Sequence, residues 1–247
     1  MKRGKFKAFL PGFASIPVII FIASLICLFI LPIFPGNGVV FGSHHLNQNK
    51  VDDHLAEAFS RIKAWTSLVS CSSDSPEIEK LQKVNRFFNN MRFMEDSELW
   101  NVEDYWATPL EFLVASKGDC EDFALAKFFT LKAMGVEEHK LYMTCAKTIC
   151  PRKAHMVVTY YSSPDNVPLV LDNLTDDIEF LNKRRDLLPV YGFNSSSLCL
   201  MNTQGLKHAV GKSDRLKRWH DVQLRVNRDC PRFLSNRLLT ASNQALP

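Results

Sequence analysis

The chain has 247 residues, 46% of them hydrophobic and 11% aromatic, enough for one sizeable domain with a real core or for two small ones. Lys2, Arg3, Lys5 and Lys7 account for the whole net charge of +4, because the other 26 Lys and Arg are balanced by 26 Asp and Glu. The body is therefore neutral, which removes any general electrostatic argument for nucleic acid as a partner.

The four cations precede an apolar stretch, Ala8 to Phe34, broken between Ile16 and Phe34 only by Pro17, Ser24 and Pro32. A positive n-region before an apolar run is an export signal. The run is longer than a signal core of roughly 7–15 residues and approaches the ~20 of a membrane span. No A-x-A site follows, and Ser24-Leu25-Ile26-Cys27 is a poor lipoprotein box. Residues 1–34 thus fit either a cleaved signal or a retained anchor, and in both cases the body is exported, in a bacterium to the periplasm. Residues 35–49, with Gly36, Gly38 and Gly42, read as a linker. His44, His45 and His54 have no acid or Cys partner at ligand spacing and read as solvated linker and helix-start residues.

From Val51 to Val69, Val51, Leu55, Ala58, Phe59, Ile62, Trp65 and Val69 recur at helical spacing. A second helix begins at Ser75-Pro76, an N-cap followed by Pro, and runs to about Met91. Glu95 to Tyr105 is mixed and reads as irregular. Thr108-Pro109-Leu110-Glu111 is a capping box opening a short helix to about Ala115. Ser116-Lys117-Gly118 then turns the chain into Gly118–Phe129, GDCEDFALAKFF, around which the rest is organised. Asp119 is an N-cap, Cys120 the first helical residue, and Phe123 to Met134 is apolar on nearly every face, with Gly135 as C′. A helix this apolar belongs in the middle of a domain.

Beyond Gly135 the period changes to two. Leu141 to Cys145 reads as a strand, and Ala154–Tyr161 and Val167–Asp172 as two strands about the turn Ser162–Asn166. Asp176 to Arg185 is polar, Leu187 to Phe193 a further strand. Lys207 to Arg237 holds nine Lys/Arg against three Asp. There Leu216, Trp219 and Leu224 suggest an amphipathic helix, read as a solvated packing helix, with membrane-surface contact as the other reading. The expected division is 1–34 export segment, 35–49 linker, 50–205 core and 206–247 basic helix and tail.

Seven cysteines are present. With Cys27 in the apolar segment and Cys120 a free thiol, at most two disulfides remain; Cys145 and Cys150 are near enough to bridge a short loop, though pairing does not follow from sequence. The absence of any C-x-x-C pair argues against structural zinc.

A cysteine at the positive end of a buried helix is either a small core residue or a favoured thiolate. Two residues of the hairpin favour the second reading. His155 and Asp172 are symmetric about Ser163-Pro164, so in an antiparallel hairpin they are expected to lie opposite each other. A carboxylate facing an imidazole fixes its tautomer and stabilises its cation, the third role in a nucleophile–base–orienter set. Asp119, Glu121 and Asp122 crowd the thiol with negative charge, which raises its pKa. A hard cation would cancel that charge, and oxygen ligands of this kind suit Ca²⁺; the alternative is an uncomplexed acidic helix start.

YWATPLEFLVASKGDCEDFALAKFFTLKAMGV, then AHMVVTYY, then PLVLDN, flanked by EKLQKVNRFFNNMRF and RRDLLPVYGFN, resembles the bacterial transglutaminase-like cysteine proteases of the LapG type over about residues 50–200. The resemblance implies an α+β papain/transglutaminase-like core with the Cys helix packed on an antiparallel sheet. It implies Cys120, His155 and Asp172 as catalytic triad and Asp119 and Glu121 as calcium ligands. It also implies a periplasmic endopeptidase that clips the N-terminal region of a large repeat-containing surface adhesin beside a di-alanine, releasing biofilm. Such enzymes are held inactive by an inner-membrane receptor that captures them when cytoplasmic cyclic-di-GMP is high. The expected oxyanion donor is the Cys120 backbone N–H, with a side chain of Tyr105-Trp106 as second candidate. The same triad also serves transglutaminase-like amide acyltransferases, and a non-catalytic calcium-binding or interaction module is the remaining alternative.

Overall fold

A computed structural model describes residues 48–230. The expected export segment, nearly all of the linker and the tail beyond Cys230 lie outside the described residues. Among the described residues no helix is long and apolar enough to cross a membrane.

The two packing helices form where the periodicity predicts them, as α1 (Gln48–Cys71) and α2 (Glu77–Asn89). In α1 the buried stripe is narrower than the apolar one: Ala58 and Trp65 are buried, while Phe59 stays 41% exposed. Pro76, not Ser75, takes the N-cap position of α2, and no side chain caps it. Two short parallel strands follow, β1 (Arg92–Phe93) and β2 (Lys117–Gly118), with α3 (Asp96–Leu99) and α4 (Pro109–Ala115) between them in sequence. α3 forms one turn inside the stretch expected to be irregular. The capping box of α4 is complete: Thr108 Oγ1 accepts the Glu111 N–H at 3.2 Å, and Glu111 Oε2 accepts the Thr108 N–H at 2.7 Å. At its other end Arg61 of α1 donates to the Leu113 and Val114 carbonyls, which have no helical partner. Ser116 closes the helix in the left-handed region, with φ of 57°.

α5 (Cys120–Ala133) is the hub. Every residue from Asp122 to Leu131 is buried, as the all-round apolar pattern requires. Gly135, at φ of 86°, ends it. Around it stand the seven antiparallel strands β3 (Leu141–Thr148), β4 (Ala154–Tyr160), β5 (Leu169–Leu171), β6 (Glu179–Phe180), β7 (Leu187–Phe193), β8 (Leu198–Asn202) and β9 (Gly205–Gly211), in the order β6-β5-β4-β3-β7-β8-β9. Leu141, Met143, Met156, Val158, Leu171 and Phe193 join the helical core, and Val157, Val170, Leu181, Leu187 and Met201 make a smaller second cluster. The architecture is α+β, a papain/transglutaminase-like core as expected.

The amphipathic packing helix expected in the basic segment after Lys207 forms, and a strand precedes it. The segment supplies β9, paired to β8, and then α6 (Lys217–Asp229). Trp219, Val222 and Val226 are the buried stripe of α6, while Leu224 is 56% exposed. Trp219 sits among Phe128, Phe129 and Phe193, with ring centroids 5.3–5.6 Å apart. The six described cysteines are all free thiols, so Cys145 and Cys150 are not bridged.

Gly118 is glycine for space, not for a turn conformation. A Cβ there would lie 2.8 Å from Asp122 Cβ and 2.9 Å from the Phe112 ring, and closer still to Asp122 Oδ2. Overpacking of this kind costs about 1–3 kcal/mol. Gly118→Ala is therefore expected to lower the melting temperature by several degrees in a thermal unfolding scan; an unchanged midpoint would mean the Asp122 carboxylate can retreat freely.

Candidate active site

The start of α5 is set by a buried carboxylate. Asp122 accepts the Asp119 N–H at 3.3 Å and the Ala107 N–H at 2.7 Å. One side chain thus holds the N-cap residue and draws the 105–108 segment against the helix end. Cys120 follows the cap. Its thiol donates to Glu121 Oε2 at 3.0 Å, and the Met156 N–H of β4 points at the sulphur. Burial, then the Glu121 and Asp119 charges, push the thiol pKa well above its ordinary value.

On β4, His155 Nε2 lies 2.8 Å from Asp172 Oδ1, with both side chains almost fully buried. They meet, but not as cross-strand partners. The ladder pairs Val158 with Leu171, Thr159 with Val170 and Tyr160 with Leu169. This centres the turn between Pro164 and Asp165, one residue later than expected, so His155 and Asp172 are offset by two residues. Pairing has already ended at Leu171, and Asp172 is aimed by a loop rather than by the ladder. Three donors hold its carboxylate: His155, the Leu174 N–H at 3.1 Å and Arg184 at 2.6 Å. Burial works to raise the Asp172 pKa, but His155 and Arg184 outweigh it and bring it down to about 2.

Cys120 and His155 line one open cavity of about 1010 Å³, together with Asp119, Glu121, Trp106 and Tyr191. Its wall is shaped by a β-bulge: β3 pairs Cys145 with Tyr191 but Ala146 with Pro189, leaving Val190 as the extra residue. Of the two aromatic candidates for an oxyanion donor, Tyr105 is committed elsewhere. Its hydroxyl donates to Glu111 and receives Arg225 of α6, both at 3.0 Å. Trp106 faces the cavity, its indole N–H hydrogen-bonded to Asp104.

The acids beside Cys120 extend further than Asp119, Glu121 and Asp122. Asp96 and Asp104 join Glu121 with carboxylate oxygens within 4.8 Å of one another, and Asp96, Asp119 and Asp122 form a second such group. Asp96 Oδ1 and Asp119 Oδ1 are buried and accept no hydrogen bond. Burial, followed chiefly by neighbouring carboxylates, pushes Asp119 up to about 10. Burial likewise pushes Asp96 up to about 6, against the Tyr105 N–H that donates to it. An all-oxygen set with orphaned acceptors and mutual repulsion is chemically suited to a hard divalent cation such as Ca²⁺. Asp122, with both oxygens occupied by backbone N–H groups, is spent on structure.

Sequence reasoning missed Arg184, Asp96 and Asp104. Arg184 lay in a run read only as polar. Glu95-Asp96 and Glu103-Asp104, two acid pairs flanking an irregular stretch just before a capping box, were the available signal for the other two.

Residues 62–186 match the family model described as bacterial transglutaminase-like cysteine proteinase. No curated protein matches the sequence significantly. Among solved structures the chain is similar to Legionella pneumophila LapG in an EGTA-treated form, at 37% identity over 71% of this chain and 96% of that one, with a TM-score of 0.61. It is also similar to the calcium-bound form of that protein, at 35% identity over 72% and 98% of the two chains, with a TM-score of 0.62. The chain therefore belongs to the bacterial transglutaminase-like cysteine proteinases, a family of cysteine proteases.

Proposed function

We propose that this protein is an exported, calcium-dependent cysteine endopeptidase that cleaves the N-terminal region of a large surface adhesin beside a di-alanine and so controls biofilm release. The observation behind the chemistry is that the Cys120 thiol and a carboxylate-held imidazole line one cavity. Cys120 is the nucleophile and attacks the scissile carbonyl. His155 accepts the thiol proton at Nδ1, since Nε2 is engaged by Asp172, and returns a proton to the leaving amine. Asp172 orients the imidazole and stabilises its cation, while Arg184 holds the second carboxylate oxygen. The Cys120 backbone N–H is the oxyanion donor. Water then resolves the thioester.

Asp119 and Glu121, joined by Asp96 and Asp104, are the residues that would hold calcium. When bound there, the ion neutralises carboxylates whose charge otherwise opposes a thiolate. The basic residues before the apolar N-terminal run support delivery of the body to the periplasm. The same family resemblance supports capture by an inner-membrane cyclic-di-GMP receptor as the inhibitory control.

Cys120→Ala should lower cleavage of an adhesin N-terminal fragment at least about a thousandfold without loss of fold, because Ala is small and a good helix former. His155→Ala should be nearly as severe, and Asp172→Asn less so. Gel analysis of the fragment decides: a fully active Cys120→Ala protein removes the assignment, and stable incorporation of a labelled amine in place of cleavage makes the enzyme an acyltransferase.

Chelation with EGTA should stop cleavage, and Ca²⁺ should restore it better than Mg²⁺, which demands stricter octahedral geometry. Added Ca²⁺ should also raise the melting temperature of the wild type, and Glu121→Ala or Asp96→Asn should blunt that rise. Full activity in EGTA, with no metal found in the protein, would return these acids to being helix-start and loop residues.

The depressed Asp172 pKa has a stability consequence. A carboxylate held at about 2 in the fold and near 3.9 in the unfolded chain contributes about 3 kcal/mol that is present above pH ~4 and lost as pH falls toward 2. Urea unfolding of wild type and Asp172→Asn should therefore show a gap at pH 6 that narrows by pH 3; a constant gap would assign the difference to packing.

A further inference from the structure

We propose that Lys127 is a positioning residue for Asp172, acting through Asn89. Lys127 lies on α5 two turns beyond Cys120, and only 1% of it is exposed. Its ammonium donates to Asn89 Oδ1 at 2.7 Å. The amide nitrogen of Asn89 points the other way, to the Asp172 carbonyl at 3.0 Å, the Thr175 carbonyl at 3.0 Å and Asp176 Oδ1 at 2.8 Å. Asn85, one turn earlier on α2, donates to the Thr175 and Asp176 carbonyls. The loop that aims Asp172 is thus clamped to α2, and the clamp is tied to the helix that bears the nucleophile.

The chemistry of the three groups makes the chain directional. An ammonium has donors and no acceptor, so it can face only the carbonyl end of Asn89. That forces the amide N–H groups toward the loop, where every partner is an acceptor. Without the cation the carbonyl end of the amide loses its donor, and only the three loop acceptors are left to hold this orientation. A buried ammonium is also a costly way to fill a core position, where an aliphatic side chain of similar volume packs without desolvation of a charge. The negative charges of Asp172 and Asp176, which face Lys127 from the clamped loop, offset part of that cost, although burial outweighs them and brings the Lys127 pKa down to about 7. Asp172 itself sits outside any ladder, so nothing in the sheet holds its main chain after Leu171. Its backbone needs a fixed point, and Asn89 supplies one.

The inference rests on the reading of Asp172 as the orienter of His155. Two substitutions test it. Lys127→Met removes the charge at similar volume. Asn89→Asp keeps an acceptor for the ammonium but removes the donors to the Asp172 loop. On an adhesin N-terminal fragment in saturating Ca²⁺, each should lower kcat about tenfold with KM within about twofold. In an Asp172→Asn background each should add less than about a twofold loss, because the group being positioned is already impaired. Wild-type kcat in both variants, or losses that multiply undiminished in the Asp172→Asn background, would overturn the proposal and leave Lys127 as a structural residue. If Lys127→Met does not fold, Asn89→Asp decides by the same criteria. Cys120→Ala, run alongside, separates the two levels. An active Cys120→Ala protein removes the catalytic reading itself, whereas an inactive one beside unaffected Lys127 and Asn89 variants removes only the positioning role.

Discussion

A carboxylate without access to water, Asp122, is the constraint on which the site depends. It accepts the backbone N–H of the N-cap residue and that of Ala107, and it presses against Gly118 closely enough to exclude any side chain there. Three separate pieces of chain meet at this one group: the short β2, the segment leading into α4, and the start of α5. Cys120 follows the cap directly, so its position is inherited from a hydrogen-bonding requirement rather than from its own contacts. A buried carboxylate is tolerable only while its partners are present. Those partners are the backbone groups that the active-site cavity needs in place.

The neighbouring acids face the opposite problem. Two unit charges 4.8 Å apart repel by about 3.5 kcal/mol at an effective dielectric of 20. Asp96, Asp119 and Glu121 belong to groups at least that close, so they cannot all be ionised at little cost without a counter-charge. Protonation is one escape, at the expense of holding neutral acids beside a thiol. A divalent ion is the other, and it would also use the orphaned Asp96 and Asp119 oxygens. The Arg218–Asp104 pair at 2.9 Å answers only the outer edge of the cluster. Being half-exposed on both sides, it is worth little against the buried charges behind it.

Much of the scaffold was legible because local chemistry and tertiary structure agree. The capping box at Thr108 and Glu111, the left-handed Gly135 and the unbroken burial of α5 each follow from short sequence signals. What was not legible depends on distance in the chain. Hairpin symmetry put His155 opposite Asp172, yet a turn centred one residue later shifts the ladder by two, and the side chains meet through the loop that follows Leu171. Arg184 is invisible for the same reason, since nothing local marks one Arg of a polar run as the one that turns inward. Asp96 and Asp104 reach Glu121 by folding of a segment that has no periodicity to read. The basic stretch after Lys207 misleads through composition. Its charges lie on one side of α6, while Trp219 fills a gap among Phe128, Phe129 and Phe193, and Arg225 buttresses Tyr105 and Glu111.

Two sets of carboxylates of similar burial therefore surround one cavity with opposite tendencies. Asp172 is driven down to about 2 by His155 and Arg184, which donate to it directly. Asp119 is driven up to about 10 by burial and by Glu121 and Asp122, which share its sign. Environments that push like groups apart are how a site assigns different work to the same chemistry. The down-shifted acid is a permanent anion, fit to hold an imidazole and stabilise its cation. The up-shifted acids hold no charge comfortably until a cation arrives, so their ionisation is tied to its presence. A thiol that hydrogen-bonds to Glu121 stands between the two sets. On the proposed reading, Glu121 would accept that bond under negative charge and hold the proton in place, and a cation on the carboxylate would ease its release. On the same reading the permanent anion supplies orientation at all times, and the crowded acids would make reactivity conditional on a cation.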